Sequence, residues 1–285
     1  VLLSGASMFL LSKFDTESVL ARLPRSTVFM GVPTYYSRLL MDEALGENAC
    51  SAMRLFISGS APLPENVFHA FRDRTGHTIL ERYGMTETLM NTSNPYDGER
   101  KPGSAGMALP GVEMRIVNQA SQGVGASAIG ASAIGDIEIK GPNVFNGYWR
   151  LPEKTAREFT RDGWFRTGDL GTMDKEGYLF IVGRGKDLII TGGYNVYPRE
   201  VERALDSIDG VRESAVIGLP DADYGESVTA IVVGESDREK VTADEIIETL
   251  KTAIANYKIP KRVLFVADLP RNAMGKVQKN LLRQR

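Results

Sequence analysis

The side chains best suited to chemistry sit in short glycine-containing stretches spread along the chain. Glu81 to Glu87 reads E-R-Y-G-M-T-E and follows a short β-like run, Thr78-Ile79-Leu80. It reads as a glycine turn ending in a carboxylate. Tyr83 offers a flat face, Gly84 permits close approach, Thr86 offers a hydroxyl, and Glu87 a hard oxygen for magnesium. The plainer reading is that Thr86 or Glu87 caps the next segment. Gly59-Ser60-Ala61-Pro62 is a turn of small residues with free amides that a base or phosphate can approach. Taken alone it reads first as a plain strand-to-helix connection, with Pro64 starting the helix. In Trp164 to Leu170, Asp169 follows a glycine and can accept from both ribose hydroxyls, or can close an Asx turn. Gly183 to Asp187 is either a surface charge cluster or a hinge. Lys276 lies in a glycine loop, where a solvated surface lysine is the default. Gly185-Lys186 and Gly275-Lys276 both lack the following Ser or Thr of a P-loop, so that motif is excluded.

The elements around these stretches alternate. Val28 to Met30 reads as a strand, Pro33 opens a helix bearing Tyr36, Leu39 and Leu40, and Arg54 to Ile57 is a second strand. A helix from about Pro64 buries Val67, Phe68 and Phe71 and stops at Gly76. This β-α-β-α-β order predicts parallel strands with right-handed crossovers. Gly31 to Thr34, Ser58 to Pro62 and Tyr83 to Glu87 then share one edge of the sheet, where α/β proteins bind ligands. From about Gly103 short strands replace helices (113–117, 136–140, 178–182), which predicts a small antiparallel barrel or sheet. GASAI occurs twice in tandem, at 125–129 and 130–134, and reads as a lengthened hairpin loop. From Leu188 an α+β unit is expected. Its helix at 198–208 buries Val201, Leu205 and Ile208, and strands follow at 214–219 and 228–233. A Thr242/Glu245 capping box opens a second helix, with Ile246, Ile247, Leu250, Ile254 and Tyr257 inward.

Composition narrows the classes of function. The 285 residues are 42% hydrophobic and 25% charged, with net charge -2, so a polyanion such as nucleic acid is not an expected partner. One cysteine and two histidines argue against a disulfide framework and a structural zinc site. No apolar run is long enough to cross a membrane. The chain starts at Val1, without methionine, and reads as a piece of a longer protein. A cytoplasmic location is expected, with an organelle address left open. Nothing in the sequence bears on oligomeric state.

Taken in order, SGSAPL (58–63), ERYGMTE (81–87), GMALPG (106–111), KGPNVFNGYW (140–149), WFRTGDL (164–170), GRGKDLIITGGYNVYPREVE (183–202) and LPRNAMGKVQK (269–279) resemble the adenylate-forming superfamily. That superfamily comprises acyl-CoA synthetases, luciferases and peptide-synthetase adenylation domains. With GVPTYYSRLL upstream, the closest likeness is to malonyl-CoA synthetases. The resemblance implies an α/β fold. Residues 1–102 would be part of the large adenylation domain and 103–183 its β-barrel subdomain. Residues 184–187 would be a hinge and 188–285 a mobile α+β domain. It implies ATP, Mg2+ and coenzyme A as the small molecules used, with a carboxylate as substrate. By match of motif, Gly59, Ser60, Ala61, Pro62, Glu81, Arg82, Tyr83, Gly84, Met85, Thr86, Asp169 and Arg184 would contact nucleotide. Glu87 would hold the metal and Lys186 would be the hinge position. Gly192, Gly193 and Tyr194 would present coenzyme A, and Lys276, with Thr86 and Glu87, would be catalytic.

Arg38 matches an arginine of the malonyl-specific relatives, in the helix after GVPT. A guanidinium can bind a second carboxylate bidentately. Its plainer role is an i,i+4 pair with Asp42. The superfamily's Ser/Thr/Gly-rich phosphate loop is not found in these residues, so the 285-residue chain by itself is expected to adenylate poorly. Fatty or aromatic acid ligases, and a non-catalytic nucleotide-binding protein, are the alternatives.

Overall fold

The computed structural model describes residues 5–117, 133–234, 241–272 and 275–284. Nearly all of the GASAI duplication lies outside them. After the short helix α1 (Thr16–Leu20), the first sheet begins with β1 (Val28–Gly31). Helix α2 (Pro33–Leu40) and the single turn α3 (Glu47–Cys50) lead to β2 (Leu55–Ser58). Helix α4 (Glu65–Thr75) then leads to β3 (Ile79–Met85). The three strands are parallel, as expected, with Val28 beside Leu55 and Phe56 beside Ile79. The helices follow the apolar spacing: Tyr36, Leu39 and Phe71 are fully buried against Phe56 and Ile79. Burying an aromatic ring of this kind contributes about 1.5–3 kcal/mol. The Tyr36 hydroxyl is satisfied by the Ile57 carbonyl at 2.6 Å. Gly76 ends α4 in the left-handed conformation that glycine tolerates best, φ 73.

One expectation is corrected in this part. E-R-Y-G-M is not a turn but the body of β3, which continues to Met85 and hairpins into β4 (Leu89–Ser93). Gly84 interrupts the apolar pattern because a Cβ there would lie 2.0 Å from the Leu89 carbonyl oxygen. The turn proper is Thr86 to Thr88. A short β5 (Met107–Ala108) completes a five-stranded sheet in the order β1-β2-β3-β4-β5.

The second sheet is β6 (Glu113–Val117), β7 (Gly135–Lys140), β8 (Phe165–Met173) and β9 (Leu179–Arg184), paired antiparallel in that order. It is an open sheet rather than a barrel, since four strands are too few to close around a filled interior. The outer edge of β9 is covered instead by the 105–106 segment, where Leu179 and Ala105 exchange backbone bonds of 2.8 Å with their partners. The W-F-R-T-G-D-L stretch belongs to β8 from Phe165 on, and helix α5 (Pro152–Glu158) precedes it.

The C-terminal part has β10 (Ile189–Thr191), β11 (Tyr194–Val196), α6 (Pro198–Asp206), β12 (Val211–Asp221), β13 (Gly225–Gly234), α7 (Ala243–Ala253), β14 (Arg262–Phe265) and α8 (Lys279–Leu282). The strand order is β11-β10-β13-β12, with β14 parallel to β13. Val201, Leu205, Ile246 and Leu250 of α6 and α7 are fully buried on it. Both bonds of the Thr242/Glu245 capping box form. Tyr257 does not face inward as expected. α7 ends at Ala253, and Tyr257 is 41% exposed, stacked on Tyr194.

Candidate active site

The ends of β1, β2 and β3 do share one edge, and a cavity of about 360 Å³ opens there. Gly31, Val32, Tyr35, Gly59, Ser60, Arg82 and Gly84 line it, with Met30, Ile57 and Met90. Arg82 is the one charged residue among the described residues that line it. Ser60 holds a left-handed φ of 71, a conformation that costs a non-glycine residue and tends to mark a ligand contact. Ala61 and Pro62 continue the turn away from the cavity wall.

Glu81 is 5% exposed and turned under this turn, where its Oε1 accepts the Leu63 N–H at 3.0 Å. Burial pushes its carboxyl up to about 8, against the opposing effect of that hydrogen bond. Its contact is therefore with the back of the 58–63 turn. Tyr83 is buried too. Its ring packs with Ile137 and Leu179, and its hydroxyl donates to Asp169 Oδ2 at 2.6 Å. Burial, then the Asp169 charge, push the phenol far above its ordinary range.

Asp169 stands opposite Arg184 across β8 and β9, and Arg184 Nε meets its Oδ1 at 2.8 Å. Gly168, at φ 72, precedes it with open space around its Cα, and Thr167 Oγ1 accepts the Asp169 amide at 3.1 Å. Both carboxylate oxygens are thus held in place by side chains from two different strands.

The Thr86–Thr88 turn is clamped from the 140–149 segment. Tyr148 donates to Glu87 Oε1 at 3.0 Å, the Phe145 amide donates to the Glu87 carbonyl at 2.8 Å, and Asn143 Nδ2 to the Thr88 carbonyl at 2.7 Å. Burial and the Glu87 carboxylate push Tyr148 up to about 12. Thr86 is exposed beside Glu87, and Met85 ends the strand. Among the described residues no cluster of three metal-ligating side chains occurs. One oriented carboxylate beside a hydroxyl suits magnesium carried by phosphates, which keeps most of its shell as water and phosphate oxygens.

Lys276 reaches this region from the C-terminal part. A Cβ on Gly275 would meet the Val32 side chain at 3.3 Å, so its loop packs on the cavity wall. Partial burial, then repulsion from Arg184, lower the Lys276 ammonium from its ordinary value, with Asp169 opposing. Lys186 is exposed in the short turn Gly185–Asp187 that follows β9. Gly192 and Gly193 form the two-residue turn of the β10–β11 hairpin with φ 55 and 81, the positive pair that such a turn requires. Tyr194 is 59% exposed on that hairpin, and neither it nor the glycines line the cavity.

Arg38 does not line the cavity either. It is exposed on an outer depression of about 520 Å³ with Thr16, Met41, Asp42 and Glu43. Among the described residues it makes no ion pair with Asp42, whose carboxylate accepts the Ala44 amide at 2.9 Å. Its guanidinium lies 6.0 Å from the Phe14 ring centroid, and Phe14 stacks on Tyr35 at 4.1 Å. Arg38 thus backs the cavity through two rings. The sequence does not single out Tyr148, whose signal is its place in the 140–149 motif, or Arg82 as the charged residue of the cavity lining.

Fold and site together define an α/β protein with a ligand crevice at its parallel strand ends and an α+β unit that brings a lysine to it. The chain belongs to the AMP-binding enzyme family: residues 1–149 match that family's model and residues 200–276 match the model of its C-terminal domain. It is 43% identical over 90% of its length to a malonate–CoA ligase of Arabidopsis thaliana, covering 44% of that protein. It is 40% identical over 98% of its length to a long-chain-fatty-acid–CoA ligase of Bacillus subtilis, covering 49% of it. It overlays on ATP-bound MatB of Rhodopseudomonas palustris with TM-score 0.92 at 54% identity, over 96% of this chain and 54% of that one. The apo structure of the same protein gives 0.76. The chain spans about half the length of the curated relatives it matches. The adenylate-forming resemblance read from the motifs is borne out.

Proposed function

We propose that this chain carries the crevice and C-terminal part of an ATP-dependent, AMP-forming acid–thiol ligase that uses malonate or methylmalonate. The substrate carboxylate attacks the α-phosphorus of ATP, giving acyl-adenylate and pyrophosphate. The thiol of coenzyme A then displaces AMP, leaving the thioester. Asp169, held by Tyr83 and Arg184, accepts the ribose hydroxyls. Gly59 and Ser60 leave room for the base, and Thr86 donates to phosphate. Glu87, oriented by Tyr148, would hold Mg2+, which supplies charge neutralisation on the phosphates when bound. Lys276 adds a positive charge where negative charge gathers, and partial burial followed by repulsion from Arg184 lowers its hold on the proton. After adenylation the unit beyond the 184–187 hinge withdraws Lys276 and presents Gly192, Gly193 and Tyr194 to coenzyme A.

The dicarboxylate assignment rests on one observation: the cavity is walled by Met30, Val32, Tyr35, Ile57 and Met90, yet its lining includes Arg82, whose side chain ends in a guanidinium. No carboxylate among the described residues pairs with that guanidinium within 4.0 Å. A second carboxylate buried there without a partner would be costly, and Arg82 supplies one. Arg38, on the outer depression, is the second candidate for that carboxylate. The apolar walls also support a second reading, a monocarboxylate ligase. Pyrophosphate release by the full-length protein separates the two. With malonate, Arg82→Met is expected to lower kcat/KM about 100-fold, while butyrate use rises or holds. Equal loss on both acids, or no loss on malonate, would remove the assignment.

A further inference from the structure

Helix α6 joins the C-terminal part to the first sheet through charge. Arg203 Nε lies 3.4 Å from Glu65 Oε1 at the start of α4, and Asn66 Nδ2 donates to the Asp206 carbonyl at 3.4 Å. Glu65 is boxed on its other side, since a Cβ on Gly103 would fall 2.8 Å from the same oxygen. Arg199, one turn earlier on α6, and Arg203 itself both favour the charged form of the buried Glu81 carboxyl.

What matters is how rigidly α6 is tied to Lys276. Glu202, 7% exposed, accepts the Val216 amide at 3.0 Å and Lys279 Nζ at 2.6 Å, which fixes α6 to β12 and α8. Ser214 of β12 donates to Asp206 at 2.7 Å. From the same strand, Glu213 pairs with Arg271, and Arg271 Nη1 donates to the Gly275 carbonyl at 2.8 Å. The Lys276 amide is held by Asn272 Oδ1 at 2.9 Å. β12 therefore links α6 to the lysine loop as one piece, and wherever α6 docks decides where Lys276 points.

We propose that Arg203 and Glu65 form a reversible electrostatic latch that docks α6 on α4 and so positions Lys276 over the crevice. Arg203 and Glu65 are positioning residues; neither lines the cavity. The pair is half exposed, 49% and 43%, so it is a weak tie. Weakness suits the role, because a unit that must leave the crevice after one step and return for the next needs two arrangements close in free energy. The inference rests on the reading of residues 184–187 as a hinge.

The test follows distance rather than turnover, so it stands or falls separately from the malonate assignment. Cysteines introduced at the exposed Asp73 and Glu248 of the 285-residue chain carry a donor and acceptor dye, while Cys50 is fully buried and escapes labelling. Single-molecule energy transfer reports the ratio of the arrangement seen here to extended ones. E65K and R203E should each lower that ratio about three- to tenfold, and the swapped double variant should restore it to within about twofold. Arg203→Gln, which only removes the charge, should give an intermediate value, with circular dichroism confirming unchanged fold. Single variants with the wild-type ratio, or a double variant that stays low, would overturn the latch.

Discussion

Substituting Glu81 by glutamine should change how the stability of this protein depends on pH. The carboxyl is 5% exposed, and its value is moved from 4.5 to about 8, chiefly by burial. In the unfolded chain it ionises near its ordinary value; in the folded chain it keeps its proton until about 8. Below the ordinary value both states are protonated and the group is neutral in its effect. Between the two values the folded state holds more protons, so stability falls as pH rises, and it levels off above the folded value. From about pH 5 to about pH 8 the loss approaches about 4 kcal/mol, at about 1.4 kcal/mol per unit of pKa. Glutamine keeps an oxygen for the Leu63 amide and removes the titration. The assay is thermal unfolding by circular dichroism at three pH values across that window. Asp206, pushed up to about 6 by burial, titrates there as well, but it is common to both proteins and cancels in the difference. The Tm of Glu81→Gln should gain on wild type by roughly 10 °C between the two ends of the window. A Tm difference that does not move with pH would refute the argument that Glu81 is buried as a neutral acid.

Two other substitutions probe the wall around it. Tyr148→Phe removes the donor to Glu87 while Phe145 and Asn143 still hold the turn's backbone, so the fold should persist. The Mg2+ concentration for half-maximal pyrophosphate release by the full-length protein should rise about tenfold, and an unchanged titration would remove the proposed role of Tyr148. Gly84→Ala places a methyl 2.0 Å from the Leu89 carbonyl oxygen and should cost about 2–4 kcal/mol in urea unfolding. The control Gly168→Ala has open space and a strained φ only, and should cost about 1 kcal/mol. Equal costs would mean that close approach is not why Gly84 is there.

Much of this arrangement is legible in the chain itself. Helices α2, α4, α6 and α7 follow apolar residues spaced for a helix, bounded by Pro33, Pro64, Gly76, Pro198 and the Thr242/Glu245 box. Alternation of these with short β-branched runs implies the parallel strands, and parallel strands imply a shared edge. E-R-Y-G-M reads as a turn in sequence, and W-F-R-T-G-D admits one, because of their glycines. Gly84 and Gly168 sit inside paired strands, Gly84 because a neighbouring backbone comes too close for any side chain. Four antiparallel runs do not say whether they close, so an open sheet was not distinguishable from a barrel.

Residue types and order alone determined the family, the crevice edge and the set of candidate groups, because local propensity and motif spacing are carried by neighbours in sequence. Which way each side chain faces was decided only by the tertiary fold. Arg38 and Arg82 are the same residue type on elements that flank one crevice, yet Arg82 lines it and Arg38 lies outside behind Phe14 and Tyr35. Glu81 and Glu87 are six residues apart in one motif, yet one is sealed under a turn and the other held by Tyr148. Orientation of this kind depends on strand register and on partners 18 to 96 positions away, such as Leu63, Tyr148, Asp169 and the Arg283–Asp187 pair, and no local pattern encodes it.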